Sequence, residues 1–326
     1  MKHPVLFYTG ASVAGIMGFF SFGRSFFEMM VHRKRTGKEK KSEPKFRHMR
    51  INHPKNGFEK EYEAGKAWCA AQPMESFYIR SVDGLLLHAS FFKATDAERI
   101  VILCHGYKGS GFGDFANIAR FLHEQNCDLL FIDERCCGKS EGEYITFGAR
   151  EKYDIRSWAY FMEHHNPENL PIYLYGQSMG AASLLMASEY RLPENVRGLI
   201  ADCGFRSMKA QMQDMAASWF HIHWIGLMLF RMEFFCNLLA GFSMKEASTA
   251  KAMRTNKIPV LFFHGKKDTY VSPVNSIYHY TSCRAKKELI LVAKARHLCS
   301  NYVSPELYRK KLLQFFHDTA ATGQGN

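Results

Sequence analysis

The sequence predicts an α/β fold in which a mostly parallel sheet carries helices on both faces. Short, continuous apolar runs of strand length recur at RIVILCHG (99–106), DLLFID (128–133), PIYLYG (171–176), VRGLIADC (196–203), PVLFFHG (259–265) and KELILVA (287–293). Helical segments fall between or beside them, at 114–125, 150–164, 178–191, 273–281 and 304–318. Strands that are apolar on both faces and alternate with helices belong to a sheet covered on both sides. The composition agrees: 326 residues with 47% apolar and 23% charged content suit a packed core. Wholesale disorder, a collagen-like repeat and a polytopic membrane protein are excluded.

From the N-terminus, Val5 to Gly23 is a run of 19 residues without a charge. At 1.5 Å per residue this spans roughly 29 Å, close to the thickness of a bilayer's hydrocarbon layer. A basic stretch, HRKRTGKEKK (32–41), follows. Residues 1–50 hold 11 Lys/Arg against 3 Asp/Glu, so most of the formal charge of +12 sits there. This reads as a membrane anchor over 1–31 and a basic juxtamembrane linker over 32–60, attracted to anionic lipid. An interfacial helix lying on the membrane is the alternative. The excess of basic residues after the run places the body in the cytoplasm of a single-pass protein at the cell membrane. Nucleic-acid binding is not expected, because the body carries little basic excess and no aromatic–basic interleaving.

The body, over 61–320, opens with FYIRSV (77–82), an Asp83-Gly84 turn and LLLHASFFKA (85–94), which predict a hairpin. The interval 205–256 is too long for a plain crossover. It is rich in large, adaptable side chains such as Met208, Met212, Met215, Trp219, Trp224 and Phe230, so it predicts a small helical cap over an apolar pocket. Arg231 and Glu233 argue against a second membrane span within it. Nine scattered cysteines, an odd number, do not describe a disulfide scaffold. No zinc-ligand spacing is present, so no metal is expected.

Gly176-Gln177-Ser178-Met179-Gly180 lies between a buried strand and a helix. A sharp strand-to-helix turn projects Ser178 Oγ from the sheet, and the glycines permit close backbone approach. The new helix also brings N–H groups and partial positive charge beside the serine. A serine nucleophile needs a base, and His297 follows the last strand. Asp268, three residues past the strand ending at Gly265, is the acid that would orient it. Ser178, Asp268 and His297 thus follow one another in the order Ser…Asp…His. Asp202 is the rival acid, better read as a structural residue beneath the turn. The backbone N–H groups of Met179 and Tyr107 are the expected oxyanion donors, and His105 is expected to hold the 105–107 loop. The Tyr107 and Lys108 side chains fall either against substrate or in solvent.

Over 77–318 the chain resembles the serine α/β-hydrolases. The resemblance is carried by CHGYKGS, DERCCGKSEG, YGQSMGAAS, IADCGFRS, GFSMKEAS, HGKKDTYV and RHLCS. It is nearest to a bacterial, membrane-anchored subgroup grouped with serine aminopeptidase-like and lysophospholipase-like hydrolases. The resemblance implies an eight-stranded hydrolase sheet, catalytic roles for Ser178, Asp268 and His297, and no cofactor. Cys136 and Cys137 depart from the relatives' Asp-x-Arg-Gly-x-Gly-x-Ser pattern; inert thiols and a redox pair are the two readings. The expected activity is a serine hydrolase of carboxylesterase or lipase type acting on a small-molecule acyl substrate, with a hydrophobic or lipid-like ester favoured. An aminopeptidase for short hydrophobic peptides and a non-catalytic binding scaffold are the alternatives.

Overall fold

The computed structural model describes residues 23–33 and 57–320. Eight strands form one sheet: β1 (Glu75–Arg80), β2 (Leu86–Phe92), β3 (Arg99–Cys104), β4 (Cys127–Ile132), β5 (Ile172–Gln177), β6 (Val196–Asp202), β7 (Val260–Gly265) and β8 (Lys287–Val292). Their spatial order is β1-β2-β4-β3-β5-β6-β7-β8. β2 runs antiparallel to β1 and β4, and every other pairing is parallel. The described helices are α1 (23–30), α2 (Glu59–Ala70), α3 (Gly111–Asp114), α4 (Ala119–Glu124), α5 (Glu151–His164), α6 (Met179–Ala187), α7 (Met208–Phe220), α8 (Gly226–Ala240), α9 (Ala250–Thr255), α10 (Val274–Ser282), α11 (Ser300–Val303) and α12 (Pro305–Ala320).

The strand pattern accounts for the two cores. Successive side chains leave a strand on opposite faces, so Ile100 and Ile102 of β3 join Trp158 and Leu184 on one face, while Val101 and Leu103 join Phe115, Tyr308 and Phe316 on the other. Each fully buried Leu, Ile or Phe stabilises the fold by about 1.5–3 kcal/mol. The hairpin at Asp83-Gly84 forms as the sequence predicts: Gly84 takes φ +89°, and Ser81 N donates to Leu85 O at 2.9 Å.

Two local expectations change. The helix predicted over 114–125 is broken into α3 and α4 by a turn over 115–118. Gly111 and Gly113 fall in the first piece, which Ser110 caps by accepting from Gly113 N. Helix α2 falls at the junction of the predicted linker and body, and no apolar stripe announces it, since only Tyr62 and Cys69 are buried.

A third apolar cluster lies beyond the C-terminal end of β5 and joins α6 to the long β6–β7 connection. Met179, Ala182 and Met186 of α6 pack there with Met208, Met212 and Trp219 of α7 and Leu229, Met232 and Phe235 of α8. Phe27, Met30 and Val31 belong to the same cluster. Residues 23–33, which the sequence groups with the anchor and linker, therefore lie on the body. Ile145 N donates to Val31 O and Arg33 N to Glu143 O, both at 2.8 Å. Among the described residues no helix is long and apolar enough to cross a membrane. The run 5–23 lies outside the described residues except for Gly23.

Candidate active site

The site is built at the C-terminal ends of β5, β7 and β8. Ser178 follows β5 with a positive φ, at φ 53° and ψ −114°, and α6 begins at the next residue. The turn closes only because its flanks are glycines. A β-carbon on Gly176 would sit 2.5 Å from Gly180 C and Ala181 N, and one on Gly180 would collide with the Cys104 carbonyl. Ser178 N donates to Asp202 O at 2.8 Å, tying the turn to β6. A strained non-glycine residue persists only where its surroundings fix it in place.

The structure brings Ser178, His297 and Asp268 into one hydrogen-bonded row. His297 Nε2 lies 3.0 Å from Ser178 Oγ, and His297 Nδ1 lies 2.7 Å from Asp268 Oδ2. With Nδ1 facing a carboxylate the proton resides there, which leaves Nε2 free to accept from the serine hydroxyl. All three residues are buried. Asp268 Oδ1 accepts from Tyr270 N and Val271 N, each at 2.8 Å. Burial alone would raise the Asp268 pKa. The neighbouring charge of His297 and hydrogen bonds from His264 and His297 outweigh that and hold the carboxyl well below its usual range.

Asp202 takes a different place. Its Oδ2 accepts from Tyr308 OH at 2.9 Å, and Tyr308 OH bonds in turn to Tyr175 OH, a polar chain beneath the turn. Burial raises the Asp202 pKa despite the Tyr308 hydrogen bond. His264 went unrecognised in the sequence. Its Nε2 lies 3.3 Å from Asp268 Oδ2 and 2.9 Å from Val271 O, while Nδ1 meets Ser276 Oγ at 2.6 Å. Its position at the end of β7, four residues before Asp268, was the available signal.

The 105–107 loop lies against the serine. A β-carbon on Gly106 would sit 3.2 Å from Ser178 Cβ. His105 Nε2 accepts from Glu134 N at 3.1 Å, so its Nδ1 proton points to Gly106 O at 2.8 Å. Asp114, which the sequence did not single out, receives Gly106 N at 2.6 Å. Met179 opens α6, where the first N–H groups of a helix have no acceptor within it. Lys108 is exposed, as the solvent reading has it, while the half-buried Tyr107 side chain departs from both readings. Tyr107 OH donates to Met30 O at 2.8 Å, Lys108 Nζ to Met29 O at 2.9 Å, and the Tyr107 ring stacks on Phe147.

Cys203 shares the neighbourhood: its thiol and the donor atoms of Asp268 and His297 lie within 4.8 Å of one another. Burial pushes that thiol well up, so it is protonated, and a cation there would take from His297 the carboxylate that orients it. Cys136 and Cys137 are buried. Burial pushes the Cys136 thiol up to about 12, and Cys137 also rises. Neither supplies the accessible thiolate that redox exchange needs.

An eight-stranded sheet in this order, with a serine on a strained turn after its fifth strand, is the α/β-hydrolase fold. The family described as "Serine aminopeptidase, S33" matches residues 95–233, less than half of the chain. The chain is 26% identical over 242 residues to the uncharacterized protein YqkD of Bacillus subtilis (strain 168), covering 74% of this chain and 78% of that protein. Among solved structures it resembles the Pyrococcus furiosus esterase Pf2001, with a TM-score of 0.62 and 20% identity, over 78% of this chain and 96% of the esterase. It also resembles Est1E of Butyrivibrio proteoclasticus, solved with ferulic acid bound, with a TM-score of 0.56 and 17% identity over 76% of this chain and 100% of Est1E.

Proposed function

We propose that the protein is a serine hydrolase that cleaves a carboxylic ester with a hydrophobic, lipid-like acyl group. The observation that carries this reading is the hydrogen-bonded row from Ser178 Oγ through His297 to Asp268. Ser178 Oγ attacks the acyl carbonyl while its proton passes to His297 Nε2. Asp268 holds the imidazole in register and stabilises its positive charge. The Met179 and Tyr107 N–H groups receive the oxyanion. The tetrahedral intermediate then collapses: the ester C–O bond breaks and the alcohol leaves with the proton from His297. Water, deprotonated by the same His297, attacks the acyl-enzyme and releases the acid, which returns the hydroxyl to Ser178.

Preference for an apolar acyl group rests on the cluster beside the serine, where α7 and α8 form a cap of Met and aromatic side chains over Met179. The likeness to the esterase Pf2001 and to acetyl xylan esterase 1 of Thermoanaerobacterium supports ester chemistry by analogy. We further propose that residues 5–23 anchor the protein in the cell membrane, with the hydrolase body in the cytoplasm.

The matched family's description keeps peptide hydrolysis as the second reading. An aminopeptidase needs a carboxylate for the substrate amine, and the three candidates in the cap region are engaged. Asp214 accepts from Asn275 at 3.3 Å, Glu246 pairs with Arg150 at 3.0 Å, and Glu233 accepts from Met244 N at 2.8 Å. Hydrolysis of p-nitrophenyl esters of increasing acyl length, beside short aminoacyl amides, tests the choice. Turnover rising with acyl length supports the lipid-ester reading; turnover of the amides alone overturns it.

A further inference from the structure

We infer that the outer face of α8, with the connection from α7, docks on a lipid bilayer. This goes beyond the hydrolytic reading and does not depend on it. Helix α8 carries apolar residues on both its inner and outer faces, with Arg231, Glu233 and Asn237 its polar residues. Its inner face is spent: Leu229, Met232, Phe235 and Cys236 are buried in the cluster beside the serine. The outer face repeats the pattern at Leu227, Phe230 and Leu238, which are 41%, 68% and 64% exposed. Positions 227, 230, 234 and 238 follow helical spacing, so they form one stripe. The connection extends it with Ile222, 50% exposed, and Trp224, 75% exposed. A contiguous exposed apolar patch of this kind marks a docking surface.

The chain itself points to lipid as the occupant. Twenty-two residues precede Gly23, and those from Val5 onward carry no charge. That apolar stretch joins the described structure against α8, where a β-carbon on Gly23 would sit 2.6 Å from Arg231 Cβ. A bilayer receiving residues 5–22 would thus lie beside the exposed stripe. The basic residues of 33–50 add attraction to an anionic surface. Trp224 suits the interface, where its ring meets acyl chains and its N–H meets headgroups.

The test uses the full chain with vesicles of equimolar phosphatidylcholine and phosphatidylglycerol, the phosphatidylcholine brominated on its acyl chains. The wild-type protein is expected to show bromine quenching of tryptophan emission that is largely lost in W224F. In F230D/L238D the Trp224 quenching should fall severalfold, since both substitutions put a charge on the apolar stripe. Equal fluorophosphonate labelling of Ser178 in all variants would show that they fold, and its loss in every form would count against the hydrolase reading alone. Vesicle-bound wild type with the same quenching as W224F would overturn the docking inference. So would a Trp224 shielded from both bromolipid and aqueous acrylamide, which would mean that residues 1–22 or a second copy cover the face.

Discussion

Tyr107 donates its phenolic hydroxyl to the Met30 carbonyl at 2.8 Å, joining the loop beside Ser178 to the segment that follows the apolar N-terminal run. The loop lies against Ser178 while its Tyr107 side chain bonds to residues 23–33. In Tyr107→Phe the proposed oxyanion N–H stays and the side-chain hydrogen bond is lost. About 1 kcal/mol is at stake. Amide exchange over 28–33 is expected to quicken about fivefold, with kcat on a short ester nearly unchanged. Unchanged exchange would show that the Phe27 and Val31 packing holds the segment alone.

Replacing members of the Ser178–His297–Asp268 row should affect chemistry far more than substrate binding. Ser178→Ala and His297→Ala are each expected to lower kcat by about 10⁴-fold or more, and Asp268→Asn by about 10³–10⁴-fold, with KM little changed. The double variant should be scarcely worse than either single one, because the residues act as a unit. Steady-state kinetics on one ester checks this.

Arg135 is buried between Asp154, at 2.7 and 2.8 Å, and Asp83, at 2.9 and 3.2 Å. Removing one partner of a buried pair leaves an uncompensated charge. Asp154→Ala is therefore expected to cost about 3 kcal/mol, toward the lower end because Asp83 remains. A double replacement, Arg135→Met with Asp154→Leu, should recover most of the loss. Urea unfolding midpoints distinguish the two outcomes.

His279 is buried on α10, with Nε2 2.9 Å from Thr249 Oγ1, and burial pushes its pKa down to about 3. Its unfolded value is about 6.5. Between these values the unfolded chain binds a proton that the folded one refuses, so stability falls as pH falls. The contribution is present in full above about pH 6.5, and up to about 1.4 kcal/mol per pH unit is lost below it. His279→Gln should flatten that part of the stability profile. Urea unfolding at pH 7 and pH 4.5 tests it; equal slopes for both proteins would count against a neutral buried imidazole.

The sheet was legible because its central strands are buried on both faces and therefore appear as unbroken apolar runs. Ser178, Asp268 and His297 could be picked out for a related reason: each follows a strand end, where parallel strands converge their loops. Helix α2 escaped detection because two buried residues in twelve leave no periodic stripe. The docking of residues 23–33 was also hidden, since Phe27 finds its ring partners at Tyr144 and Phe235, far along the chain. The second histidine on Asp268, His264, needed the fold to bring β7 and its following loop together.

Ser178 as nucleophile is the central claim, and labelling by a fluorophosphonate tests it most directly. The wild-type chain should be labelled at Ser178 alone, at a rate that falls at least about a thousandfold in His297→Ala. Folded wild-type protein that is not labelled, or labelling at another residue that persists in Ser178→Ala, would contradict it.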